Sequence, residues 1–317
     1  MRLATLFLPL TVVVASACTM QRVGSDAPAS VTSEQAATDD HAGHDMGNAA
    51  QGAGSLAPSA AIAQQDRGVA AGAADVAARL QASPRHAEWA MVPTAPGARD
   101  SIAAWVVYPE RRDNAPVVVV IHEIFGLSAW VRGVADQLAA DGFIAIAPDF
   151  LSIERGGGTT DSMPSADARA MIGRVTPNKM NAMVAAVAAY GMALPAAMKV
   201  YGVVGYCWGG SASFNHAVFG GPQLRAAVVY YGTSPEVADL AKVRIPVLGL
   251  YGENDQRVNA TIARADSTMR ATRMSFTQHI YPGARHGFLR QQDLEENAAA
   301  ARMAWPETVA FFRQHLR

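Results

Sequence analysis

Residues 116–121 read Pro-Val-Val-Val-Val-Ile, an unbroken apolar and mostly β-branched run. A strand with one wet face alternates polar and apolar residues. A continuous run instead demands cover on both faces, as inside a parallel sheet. Further strand-like runs recur at 103–108, 143–147, 200–204, 226–231, 246–251 and 276–281. Helical patterns fall between them. Residues 127–140 place Trp130, Val134 and Leu138 on one stripe, and 178–194, 209–219, 259–272 and 294–315 follow. A kink or break is expected in the last at Pro306. Strands alternating with helices predict an α/β class: a doubly wound, mostly parallel sheet flanked by helices on both faces. In such a sheet, functional groups gather at the carboxyl ends of the strands. Half of the 317 residues are hydrophobic, enough to fill two such layers.

The N-terminal part of the chain has a different character. Arg2, the apolar stretch 3–14 and Ala15-Ser16-Ala17 read as a signal peptide over 1–17. Cleavage there would leave Cys18 first, the arrangement lipid anchoring requires, although Ala15 stands where Leu is usual. The expectation is export to the periplasm or cell envelope, with membrane contact only through Cys18. Residues 18–86 are rich in Ala, Gly, Ser and Gln and lack aromatic residues. They read as a flexible tether, with a transient helix across 71–80. Within it His41, His44, Asp45 and Met46 offer short-range metal ligands without a supporting fold, and read as solvated tether. The folded domain is expected over 87–317. A net charge of −1 gives no reason to expect a nucleic-acid partner. With Cys18 at the processing site, Cys207 is left as a lone thiol.

The sharpest local signal surrounds that thiol. Val203-Val204-Gly205-Tyr206-Cys207-Trp208-Gly209-Gly210 runs a buried strand into a Gly-x-Cys-x-Gly turn that opens a helix. This is a nucleophile elbow with Cys in place of the commoner Ser. Neighbours without Cβ atoms permit the sharp turn, and the helix N-terminus favours negative charge at the sulfur. A nucleophile of this kind needs a base, and the base needs an orienting carboxylate, in the chain order nucleophile, acid, histidine. Asp255, after the strand at 246–251, is preferred over Glu253 as the acid. His286, in a Pro/Gly loop after the strand at 276–281, is the candidate base. His216, His279 and His315 lie within regular elements and compete poorly. The backbone N–H groups of Trp208 and Ile124 are the expected oxyanion donors, and Phe125 beside them is an expected substrate-binding residue.

The segments HEIFG (122–126), GYCWGG (205–210), GENDQRV (252–258) and PGARHGFLR (282–290) together resemble the dienelactone hydrolase family of α/β-hydrolases. The likeness extends from about Trp89 to the C-terminus. It implies a Cys-His-Asp triad of Cys207, His286 and Asp255. It also implies that Glu123 contacts the resting thiol and joins in its activation. Family members hold a substrate carboxylate with two arginines. Arg290 matches one. The other is expected near Ile153, where only Arg155 is close. A small ester or lactone is the implied substrate, cleaved without metal or organic cofactor. A thioesterase or peptidase-like acyl hydrolase is a second reading, and a non-catalytic envelope binding protein on the same fold a third. The loop 152–164 is expected to shape the mouth of the site.

Overall fold

The structure, a computed structural model, describes residues 68–159 and 161–317. Eight strands form one sheet: β1 (Ala87–Pro93), β2 (Ser101–Val107), β3 (Ala115–Ile121), β4 (Ile144–Pro148), β5 (Ala197–Tyr206), β6 (Leu224–Tyr230), β7 (Val247–Asn254) and β8 (Phe276–Arg285). Their spatial order is β1-β2-β4-β3-β5-β6-β7-β8. The pairs β1/β2 and β2/β4 are antiparallel and all others parallel. This is the α/β-hydrolase fold. Among the described residues its helices are α1 (Val76–Ala82), α2 (Ala129–Ala140), α3 (Ser152–Arg155), α4 (Ser165–Ile172), α5 (Pro177–Ala193), α6 (Trp208–Phe219), α7 (Val237–Leu240), α8 (Gln256–Asn259), α9 (Ile262–Ala271) and α10 (Glu295–His315).

The valine run explains the two-layered core. All seven residues of β3 are buried. Val118 and Val120 face a cluster with Trp130, Phe143 and Trp305, while Val117, Val119 and Ile121 face another with Ile146, Val184 and Phe214. Each buried valine contributes roughly 1.5 kcal/mol or more relative to exposure. No solvated face could return that gain. The chain leaves β3 toward β4 on one side and returns as β5 on the other. The β3/β5 crevice is therefore the topological switch point, where a site is expected.

Several expectations are corrected. The antiparallel edge strand β1 lies where no strand was expected. The last helix continues unbroken through Pro306. The segment before residue 87, expected to be tether, is packed from Val69 onward: Val69, Ala70, Ala71 and Val76 are buried. Trp130 Nε1–H donates to the Ala71 carbonyl at 3.0 Å, and the Ala73 N–H to the Arg290 carbonyl at 2.8 Å. Val76 fills the notch left by Gly133, where an added Cβ would lie 2.2 Å from its Cγ2. An Ala/Gly-rich composition hid this segment, because its burial comes from fitting small residues against α2. Finally, β8 runs on through Pro282 and Gly283 to Arg285. Proline is tolerated there because β8 is an edge strand, and Gly283 takes φ +69. Residues 1–67, where the signal peptide is expected and where Cys18 and the His41/His44 cluster fall, lie outside the described residues. Among the described residues no helix is long and apolar enough to cross a membrane.

Candidate active site

Cys207 stands between β5 and α6 at φ 56, ψ −115. A non-glycine residue pays of order 1–3 kcal/mol to hold such a conformation, so the surroundings must over-determine it. They do. A Cβ at Gly205 would lie 1.8 Å from the Gly209 carbonyl oxygen, and one at Gly209 2.3 Å from that of Ile121. One at Gly210 would lie 2.4 Å from the Tyr230 oxygen. Each close neighbour is backbone, so nothing can swing aside. The Cys207 N–H donates to Tyr230 O at 3.2 Å, and its own carbonyl accepts from Ser211 at 3.1 Å. Cys207 is a partly exposed free thiol.

Strand register brings the other two triad candidates together. Asn254 on β7 pairs with Arg285 on β8, so the next residues, Asp255 and His286, leave neighbouring strand ends side by side. His286 Nδ1–H donates to Asp255 Oδ2 at 2.5 Å. Cys207 is near enough to act on the same ring electrostatically. Burial alone would lower the His286 pKa; the bond to Asp255 and the influence of Cys207 overcome it and raise it to about 9. His286 opens the turn that follows β8, which begins four residues later than expected because the strand runs on to Arg285. The edge of its ring meets Tyr231, with centroids 5.1 Å apart.

Glu123 follows β3 and is buried. Burial pushes its carboxyl up to about 7, against the opposing pull of Arg290 and His286. Its Oε2 lies 3.4 Å from Arg290 Nε, and neither atom has a hydrogen-bond partner. The hydroxyls of Tyr206 and Tyr231 are likewise buried without a partner. Burial holds both phenols well above their ordinary pKa, and the nearby Glu123 charge adds to the effect. The turn 123–126 is closed by the Gly126 N–H to Glu123 O at 3.3 Å. Gly126 has φ +79, and Thr159 occupies the space a side chain there would need. Thr159 in turn bonds Asp149 through its N–H and, at 2.8 Å, its hydroxyl. The loop after α3 is thus tied down at Thr159.

Among the expected substrate residues, Phe125 and Arg290 meet: the guanidinium lies 5.1 Å from the ring centroid. Arg155 does not join them, because its Nη1 donates to the Gly158 carbonyl at 2.5 Å. The second guanidinium over Phe125 belongs to Arg169 on α4, at 5.9 Å. Sequence reasoning missed Arg169, as it lies 20 residues beyond Asp149 in a segment with no strong pattern. Only the fold of α4 onto the site reveals it. No group of three metal-ligating side chains occurs among the described residues.

The sequence profile of the Dienelactone hydrolase family matches residues 102–316. An Escherichia coli K12 protein named "Putative carboxymethylenebutenolidase" is 28% identical over 263 residues, covering 79% of this chain and 96% of its own. The crystal structure named "Putative Dienelactone Hydrolase" from Klebsiella pneumoniae superposes with a TM-score of 0.61 at 27% identity, over 73% of this chain and 99% of that one. The dienelactone hydrolase-like promiscuous phosphotriesterase P91, from metagenomic libraries, shares the fold at a TM-score of 0.62 and 20% identity, over 74% of this chain and 99% of its own. The chain belongs to the dienelactone hydrolase family and is a hydrolase of the ester and lactone type.

Proposed function

We propose that Cys207 hydrolyses small carboxylate-bearing esters or lactones through an acyl-enzyme. The observation that carries this reading is the His286–Asp255 hydrogen bond, with Cys207 raising the pKa of the same ring from a strained elbow. Cys207 Sγ, its proton passed to His286 Nε2, attacks the carbonyl carbon and forms the C–S bond. The N–H groups of Trp208 and Ile124 receive the oxyanion. The C–O bond then breaks as the imidazolium gives its proton to the leaving oxygen. Water attacks the thioester while His286 takes its proton, and the carboxylic acid departs as sulfur regains its electron pair. Asp255 keeps the ring in the Nδ1–H tautomer throughout. Arg290 and Arg169, flanking Phe125, supply positive charge for a substrate carboxylate.

The test is hydrolysis of matched esters with and without a carboxylate by wild type and Cys207→Ala. Turnover lost only in the variant supports the reading. Equal inactivity of both proteins toward every ester would favour a binding module. The sequence of residues 1–18 is the support for export and for lipidation at Cys18, which are part of the same proposal. Mass spectrometry of the mature N-terminus tests them: a diacylglyceryl-modified Cys18 is expected, and a plain amine there removes the anchor.

A further inference from the structure

The two proposed oxyanion donors lie on different segments, Ile124 after β3 and Trp208 at the start of α6. One fully buried side chain touches both. His122 Nε2 accepts the Phe150 N–H at 3.1 Å. A backbone N–H can only donate, so the ring proton must sit on Nδ1. Nδ1–H then donates to the Glu123 carbonyl at 2.6 Å. That carbonyl belongs to the same peptide unit as the Ile124 N–H. In a planar trans peptide the two point in opposite directions, so holding the oxygen fixes where the N–H aims. The face of the same imidazole lies on the Trp208 indole, with centroids 5.9 Å apart and planes 28° from parallel. Phe150 closes the cluster edge-on to both rings. A Cβ at Gly209 would lie 2.4 Å from His122 O, so the start of α6 is seated on this residue's backbone as well.

A second proton on the ring would cost the Phe150 bond. Burial opposes that proton too, although Asp149 Oδ1 stands 3.9 Å from Nε2. Asp149 is otherwise engaged by Leu151 and Thr159. The imidazole therefore stays neutral, in one tautomer, with both nitrogens bonded.

We propose that His122 is a positioning residue for the oxyanion site, setting the Ile124 peptide by its Nδ1–H and the Trp208 residue by stacking. This rests on the acyl-transfer reading above and deepens it. The alternative is a core histidine that only fills space. The two are separated by a reaction at the same sulfur that develops no oxyanion, namely displacement of iodide from iodoacetamide.

The experiment measures kcat and KM for an activated carboxylate ester, and the Cys207 alkylation rate, in wild type, His122→Phe, His122→Leu and His122→Asn. Removing one oxyanion donor typically costs about 10²–10³ in kcat. The Phe and Leu variants should therefore lose roughly 100-fold in kcat, with KM and alkylation within about threefold of wild type. Leu repeats the test in a smaller volume if Phe does not fold. Asn keeps a donor for the Glu123 carbonyl and should recover at least about tenfold of the loss. Unchanged kcat in the Phe and Leu variants overturns the proposal. So does a parallel fall of kcat and alkylation, or an Asn variant no better than Leu. Undiminished turnover by Cys207→Ala would instead remove the acyl-transfer reading itself, whatever the His122 series shows.

Discussion

Arg290 Nε stands 3.4 Å from Glu123 Oε2, and neither buried atom finds a hydrogen bond. The pair is close enough to attract but not bonded, while burial has already driven Glu123 up to about 7. The arrangement fits a carboxyl that changes charge near neutrality as a substrate carboxylate draws Arg290 toward itself.

Stability should record that shift. Between its unfolded value of 4.5 and its folded value of about 7, Glu123 binds more protons folded than unfolded. Its contribution is therefore complete below pH 4.5 and is lost as pH rises through 7. Glu123→Gln cannot titrate. The melting temperature of wild type relative to this variant is expected to fall from pH 5 to pH 8. A pH-independent difference would show that Glu123 is not perturbed.

The pair of arginines over Phe125 predicts a charge-selective loss. Arg169→Ala and Arg290→Ala should each raise KM for carboxylate-bearing esters by about tenfold, the scale of one charge-assisted hydrogen bond. Neutral esters should be little affected. Arg155→Ala should behave as wild type, since that side chain is committed to Gly158. Equal effects of all three changes would mean that general surface charge, not a built subsite, attracts the substrate.

Much of this site was legible in the sequence for a local reason. The elbow, the HEIFG turn and the residues after β7 each combine a buried strand with a chemistry-bearing residue at its carboxyl end, and the mostly exposed edge strand β8 leads into His286 in the same way. The valine run of β3 likewise forces the parallel architecture. What was not legible depends on packing between distant segments. Arg169 reaches Phe125 only because α4 folds back. His122 looks like an ordinary residue until its ring is seen bridging Glu123 and Trp208. Composition also misled: Ala70, Ala71 and Val76 are buried because small residues fit close against α2, not because the segment is strongly apolar. At Pro306, intrinsic helix-breaking tendency yields to the buried face on either side, where Trp305, Val309 and Phe312 anchor α10.

The elbow itself can be probed through its glycines. Gly209→Ala must push its Cβ into the Ile121 carbonyl at 2.3 Å, whereas Gly221→Ala meets only a flexible Gln223 side chain at 3.4 Å. The first is expected to cost at least about 2–3 kcal/mol and abolish activity, and the second to be close to neutral. Denaturant titration of both variants checks this. Similar stabilities would mean that the turn can relax and does not impose the Cys207 conformation.

Asp255→Asn keeps the shape of the acid but can offer the wrong partner to Nδ1. Loss of the correct imidazole tautomer is expected to lower kcat by about 10³–10⁴, with KM little changed. The His286 pKa should also fall, because the Asp255 bond helps to raise it to about 9. NMR titration of the imidazole measures this directly. An unmoved pKa would contradict the assigned role of Asp255.

The most direct test is intact-protein mass spectrometry after rapid mixing with an activated ester, followed by peptide mapping. The account predicts a transient mass increase equal to the acyl group, located on Cys207, absent in Cys207→Ala and long-lived in His286→Ala if that variant is acylated at all. Catalytic turnover that persists in Cys207→Ala, or an acyl group trapped on any other residue, would contradict it.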